Sequence, residues 1–200
     1  MVQETYYIKA QAAGGGGGSV GATLMKTGQT VSYRQGDDGA IEAGRATDFF
    51  TLASNNPFGT NSRFSDELGG QTYTNNIVID WSTYNGTDVL GYSKLYQGAT
   101  WNDAVDNSLT YSLGSYSSGW RLANAKEMMN IFNYGQYNVM NYSPFNFVSS
   151  IFYTSTAVPN QSTRILFARN ADGQFQNFSK TNSFAYTPVR NFTVNGTTLT

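Results

Sequence analysis

Neither histidine nor cysteine occurs anywhere in this 200-residue chain. A Ser–His–Asp triad, a cysteine nucleophile and an ordinary zinc site are therefore excluded, because each needs an imidazole or a thiolate. Carboxylate, lysine, tyrosine, serine and threonine chemistry remains open. The most conspicuous carboxylate pair is Asp37-Asp38, set between Gly36 and Gly39. Glycan hydrolysis needs two carboxyls facing one another across a sugar, about 5 Å or about 6.5–9.5 Å apart. Neighbouring residues in a GDDG turn point apart, so turn capping or an inter-subunit contact is the expected role. The chain is read as a non-enzyme with no cofactor and no metal.

The surface chemistry points toward contact instead. Charged residues are 12% of the chain and aromatics 15%, with 14 Tyr and 13 Phe. Asn133-Tyr134-Gly135-Gln136-Tyr137-Asn138-Val139-Met140-Asn141-Tyr142-Ser143 mixes rings and amides without periodicity. Tyr and Asn supply rigid contact area and adaptable hydrogen bonds, the chemistry of paratopes. Tyr134, Tyr137, Asn138, Asn141 and Tyr142 are thus the candidate ligand or receptor surface, against the alternative of an ordered loop packed on its own domain. Net charge is −1 and Lys and Arg are scattered singly, so no footprint for nucleic acid or an anionic membrane is expected. No apolar run is long enough to cross a bilayer. Residues 1–10 lack a basic stretch followed by an apolar one, so no secretory signal is expected. Absence of cysteine implies assembly in a reducing cytoplasm, and release by lysis reconciles that with work outside a cell.

These residues have to be positioned by a scaffold, and the pattern gives its outline. Residues 1–23 read as an anchor arm: VQETYYIKA alternates like an edge strand, and the five glycines Gly14–Gly18 form a flexible tether or a close packing at a symmetry axis. Residues 24–48 read as loop or short hairpins. A turn is expected at Gly69-Gly70, a strand at 76–81, and a two-residue hairpin at Asn85-Gly86. Thr100 caps a helix over WNDAVDNSL with Trp101, Ala104, Val105 and Leu109 on one face. Asn124 caps a second helix, AKEMMNIFNY, with Glu127 completing a capping box. Met128, Ile131 and Phe132 form its stripe, and Gly135 closes it. From Ser149 onward SSIFYTSTAV, TRILFARN, GQFQNFSK and SFAYTPVRNFTV read as strands. Strands, two helices, then strands indicate an α+β domain with a twisted antiparallel sheet over residues 24–200.

Trp101-x-x-Ala104, Gly119-Trp120-Arg121-Leu122, Lys126-Glu127-Met128, Phe152-Tyr153-Thr154-Ser155-Thr156 and Pro188-Val189-Arg190 fall in one order. With Lys26-Thr27-Gly28-Gln29-Thr30 and Gly36-Asp37-Asp38-Gly39, that order resembles the Lcl C-terminal-like domain family, a domain of unknown function found in bacterial lipoproteins and phage proteins. The likeness runs over residues 24–194. It implies a C-type-lectin-like fold, with Trp101, Trp120, Arg121, Leu122, Glu127 and Arg190 as the residues that determine it. Ala123 stands where the family usually has Pro. Its cysteines fall near Ser108 and Val189 here, so its disulfide is absent and formylglycine-generating chemistry is excluded. Arg121 is expected as a buried guanidinium bonding loop carbonyls beside Trp120. Trp101-Asn102-Asp103 spells a calcium-ligand tripeptide of C-type lectins, but it opens a helix and lacks a Glu-Pro-Asn partner. The Tyr/Asn segment falls where lectin-like folds carry variable binding loops. These expectations describe a virion protein of a tailed phage, as head fibre, decoration or tail-tip protein. Its arm meets other virion proteins and its domain meets a host-surface glycan or protein, and a homotrimer is expected from the usual threefold symmetry of fibres. The alternatives are a bacterial surface adhesin and a carboxylate-based glycan hydrolase.

Overall fold

A computed structural model describes residues 31–35, 49–51 and 56–200. The arm at 1–23 and Asp37-Asp38 lie outside the described residues, as does most of 24–48. Chain order is β1 (Phe64–Ser65), β2 (Ile77–Asp80), a 3-10 turn (Trp81–Thr83), β3 (Asp88–Ser93), β4 (Gln97–Ala99) and α1 (Trp101–Leu109). Then follow β5 (Trp120–Leu122), α2 (Ala125–Asn130), β6 (Ile151–Ala157), β7 (Arg164–Arg169), β8 (Phe175–Ser179), β9 (Phe184–Tyr186), β10 (Pro188–Asn195) and β11 (Thr198–Leu199). The class is α+β.

Two sheets form in place of one. The first runs β1-β2-β3-β10-β11, with β5 also on β10; the second runs β4-β9-β6-β7-β8. All pairings are antiparallel except β6 with β9. Strand alternation sends side chains to opposite faces. Val78, Leu90, Tyr92 and Val189 of the first sheet therefore join Phe152, Ala168 and Ala185 of the second in one central cluster. Ile77, Ile79, Val89 and Phe192 point the other way and pack with Trp81 and Trp120. Tyr153, Ile165 and Phe167 pack beneath α1 with Ala104 and Tyr186. Gly91 is required on β3, since a Cβ there would stand 2.4 Å from the Phe192 ring.

Four expectations are corrected. SFAYTPVRNFTV is two strands: Thr187 donates to the Ser93 carbonyl at 2.7 Å, and the chain leaves the second sheet for the first there. Asn85-Gly86 is not a two-residue hairpin. Asp80 pairs with Leu90, because Asp80 Oδ1 accepts from Ser82 N and Ser82 Oγ and winds Trp81–Thr83 into a 3-10 turn first. Asn85 still turns the chain, its Oδ1 accepting from Thr87 N and Asp88 N. In α1 the cap is Thr100 as expected, but Leu109 is 61% exposed and Ser108 is buried, donating to the Ala104 carbonyl. In α2 the Asn124–Glu127 capping box forms and Met128, Ile131 and Phe132 are buried. The helix ends at Asn130, however, and Gly135 belongs to a turn held by the Asn133 side chain.

The core carries a consequence for alkaline solution. Tyr92 and Tyr142 are buried, donating to the carbonyls of Glu127 and Ile131 at 2.8 and 2.7 Å. Burial pushes both hydroxyls well above the ordinary range, since a phenolate has no water there. Their neutral forms bind protons that the unfolded chain loses near pH ~10. The stability they contribute is complete below that value and falls as pH rises beyond it. The share of phenolate absorbance that comes from these buried tyrosines should therefore appear in one cooperative step with unfolding, lagging the curve of the urea-unfolded chain.

Candidate functional site

Arg121 and Glu127, both in the set expected to determine the fold, form an ion pair. Alternation along β5 buries Trp120 and Leu122 and turns Arg121 toward α2. Its Nη1 donates to Glu127 Oε2 at 2.8 Å and its Nη2 to Oε1 at 2.5 Å; Oε2 also accepts from Asn124 N at 2.8 Å. Hydrogen bonding to Glu127 holds the Arg121 pKa above its usual value. The expected buried guanidinium is not this one, since the Arg121 side chain is 39% exposed. That role belongs to Arg63, at 1%. Arg63 Nε and Nη2 donate to Asp80 Oδ1 and Oδ2 at 2.9 and 2.8 Å, and Nη2 also reaches the Asn130 carbonyl at 2.5 Å. The rings of Phe49 and Phe64 each lie 4.4 Å from its carbon centre. Burial opposes the charge on Arg63, and the Asp80 carboxylate outweighs it. Sequence reasoning missed the pair because its members stand 17 positions apart without a local signature.

The other motif residues serve packing. Trp101 Nε1 donates to the Thr154 carbonyl and its ring lies under the Lys180 ammonium. Asp103 accepts from Thr100 Oγ1 in the α1 cap. Arg190 lies over Tyr116 and Phe192, 4.9 and 4.7 Å from their ring centres.

The Tyr/Asn segment divides by exposure. Tyr137 is 79% exposed, and Tyr134 and Asn141 also face solvent, with Asn138 partly covered. Tyr142 is corrected: it lies in the central cluster against Phe49, Phe64 and Phe145 and offers nothing to a partner. The loop is fixed from beneath. Val139 N donates to the Asn170 carbonyl at 2.7 Å, Met140 N to Asn170 Oδ1 at 2.8 Å and Asn138 N to the Ala171 carbonyl at 3.3 Å. Asn170 Nδ2 in turn donates to the carbonyls of Phe147 and Ser149. Val139 and Met140 anchor the loop in the core. Tyr134 rests on Gly173 and donates to its carbonyl at 3.3 Å, beside the Arg169–Asp172 ion pair. Burial, then Asp172, raises the Tyr134 hydroxyl pKa; the Arg169 hydrogen bond lowers that of Asp172. What remains is a neutral patch of Tyr134, Tyr137, Asn138 and Asn141, preset in shape and edged by one ion pair.

A second concavity of about 360 Å³ lies over α2 and the β2–β3 connection, lined by Thr83, Asn85, Asp88, Asn124, Lys126 and Asn191. Its Asp88 accepts from Thr193 Oγ1 at 2.9 Å. The other carboxylates are similarly occupied: Asp66 accepts from Leu68, Gly70 and Tyr73 amides, and Glu67 from Asn75. Among the described residues, only the exposed Asp106 carboxylate accepts no side-chain or amide hydrogen bond.

No protein-family model matches this sequence, and no curated protein matches it.

Proposed function

We propose that this chain is a structural protein of a tailed-phage virion, displaying a C-type-lectin-like domain for attachment to a host-surface glycan or protein. The observation that carries this reading is the Tyr/Asn patch, whose backbone Asn170 fixes from below while Tyr137, Tyr134 and Asn141 face outward. A surface set before binding loses little entropy on contact, and tyrosine gives large area at the cost of two torsions. Supporting the lectin-like part is the order of strands, two helices and strands, with the late β10 lying between β3 and β11. Within the described residues, Asp66, Glu67, Asp80, Asp88, Asp103, Glu127 and Asp172 are occupied as hydrogen-bond acceptors in the fold, which favours binding over hydrolysis there. A surface poor in charge and a chain without cysteine fit a particle component folded before lysis.

The purified chain should compete with particles for adsorption to their host cells. Tyr137→Ala removes an exposed ring without touching the core, so its thermal unfolding should match the wild type. Its competing strength should fall by about tenfold or more, the loss typical of a central aromatic contact. Undiminished competition by the variant would remove the patch from the account.

A further inference from the structure

We propose that β8 is a self-pairing edge, through which two copies of this chain join their five-stranded sheets into one. Among the described residues, β8 ends the order β4-β9-β6-β7-β8 and is bonded to a neighbour on one side only. Its alternation can be read from the flanking bonds. Arg169 N donates to the Gln174 carbonyl and Lys180 N to the Thr163 carbonyl. In the register Phe167↔Gln176 and Ile165↔Phe178, Gln176 and Phe178 are therefore the residues whose amides and carbonyls meet β7. Those of Phe175, Asn177 and Ser179 point away from the sheet, the Ser179 carbonyl also accepting from Asn182 N at 3.5 Å.

Edges of this kind are normally guarded by shortness, proline, a bulge or an outward charge. The other edges here are short: β4 has three residues, β1 and β11 two each. β8 has five, FQNFS, with neither charge nor proline and no register shift against β7. The adjoining charge, Lys180, lies over the Trp101 ring at 4.1 Å, away from the role of guard. Arg164 is engaged by Asn177 Oδ1.

A second copy fits this edge in an antiparallel register. In an antiparallel pair centred on Asn177, Asn177 meets its own copy and Phe175 meets Ser179, so every outward donor faces an outward acceptor. The remaining pair, Gln176 with Phe178, covers a ring that is 42% exposed in the single chain and lies partly against Phe167 and Phe184. β8 itself carries no charge. Such pairing is twofold, in place of the threefold arrangement expected from fibres, and it stands independently of the attachment reading.

Light scattering of the eluting full chain across a dilution series should give a dimer that dissociates to monomer. Residue-resolved amide exchange on the same samples should show Phe175, Asn177 and Ser179 protected in the dimer and fast in the monomer. Gln176 and Phe178, already bonded to β7, should stay protected in both. Asn177→Lys sets two ammoniums opposite each other across the pairing axis, at little cost to the exposed face of the fold. It should weaken dimerisation about tenfold or more with unchanged circular dichroism. A monomer at every concentration, an oligomer in which those three amides exchange fast, or an Asn177→Lys dimer of undiminished strength would each overturn the assignment.

Discussion

Asp80→Ala should destabilise the domain by about 3–5 kcal/mol, the usual cost of stripping one partner from a buried ion pair. Asp80 is fully buried and gathers contacts from separate parts of the chain: two bonds from Arg63, one from Asn130 Nδ2 at 3.4 Å and the 3-10 cap at Ser82. Without it, a guanidinium remains between two phenylalanine rings with the Asn130 carbonyl as its remaining acceptor. Small domains are stable by only about 5–15 kcal/mol, so the variant should be close to unfolding at room temperature. Urea denaturation followed by tryptophan fluorescence reads the effect directly. Arg63→Met placed on top of Asp80→Ala should recover part of the loss, because the uncompensated charge goes with it. A loss under about 1 kcal/mol for Asp80→Ala would mean that water enters the site and the pair organises nothing.

Asn170→Ala should cost about 3 kcal/mol and, unlike Asp80→Ala, should act on the binding patch. Asn170 is buried at the end of β7, and its amide ties together the 140 and 147–149 segments. Truncation leaves the Met140 amide and the carbonyls of Phe147 and Ser149 short of partners, each orphan costing about 1–3 kcal/mol before relaxation. The Tyr137 loop keeps its hydrophobic anchors, Val139 and Met140, and the main-chain bonds from Asn138 and Val139, but loses the bond at Met140 and the side-chain brace beneath it. Amide exchange at Met140 should accelerate, and competition for adsorption should weaken even at temperatures where the variant is folded. A variant as stable as the wild type, or one with an unchanged Met140 amide, would show that packing and the Asn138 and Val139 main-chain bonds hold the loop without the Asn170 side chain.

What could be read from the residues was what is locally encoded. Thr100 with Asp103, and Asn124 with Glu127, satisfy free amides within one turn, so both helix starts were legible without knowledge of the fold. Strand existence was legible for the same reason, from alternation and β-branched or aromatic content. Properties set by distant partners were not. Which face α1 buries depends on β5 and β6 beneath it, which is why Ser108 replaced Leu109 in the core. Whether Asn85-Gly86 makes a tight hairpin depended on Asp80, which winds an extra turn. That FAYTPVRN changes sheets at Thr187 depended on Ser93, and nothing near Thr187 signals it. In the candidate site, composition identified the exposed residues Tyr137 and Asn141, while the burial of Tyr142 followed from Phe49, Phe64 and Phe145. Asn170 and the Arg63–Asp80 pair act over separations of 17 residues or more, beyond any short motif.

The central claim, that this chain is a particle component, is tested most directly by quantitative mass spectrometry of purified virions from its source. The account predicts the chain in a fixed number of copies per particle, retained after stringent purification. Recovery only as free protein or on the bacterial surface would contradict it and favour an adhesin.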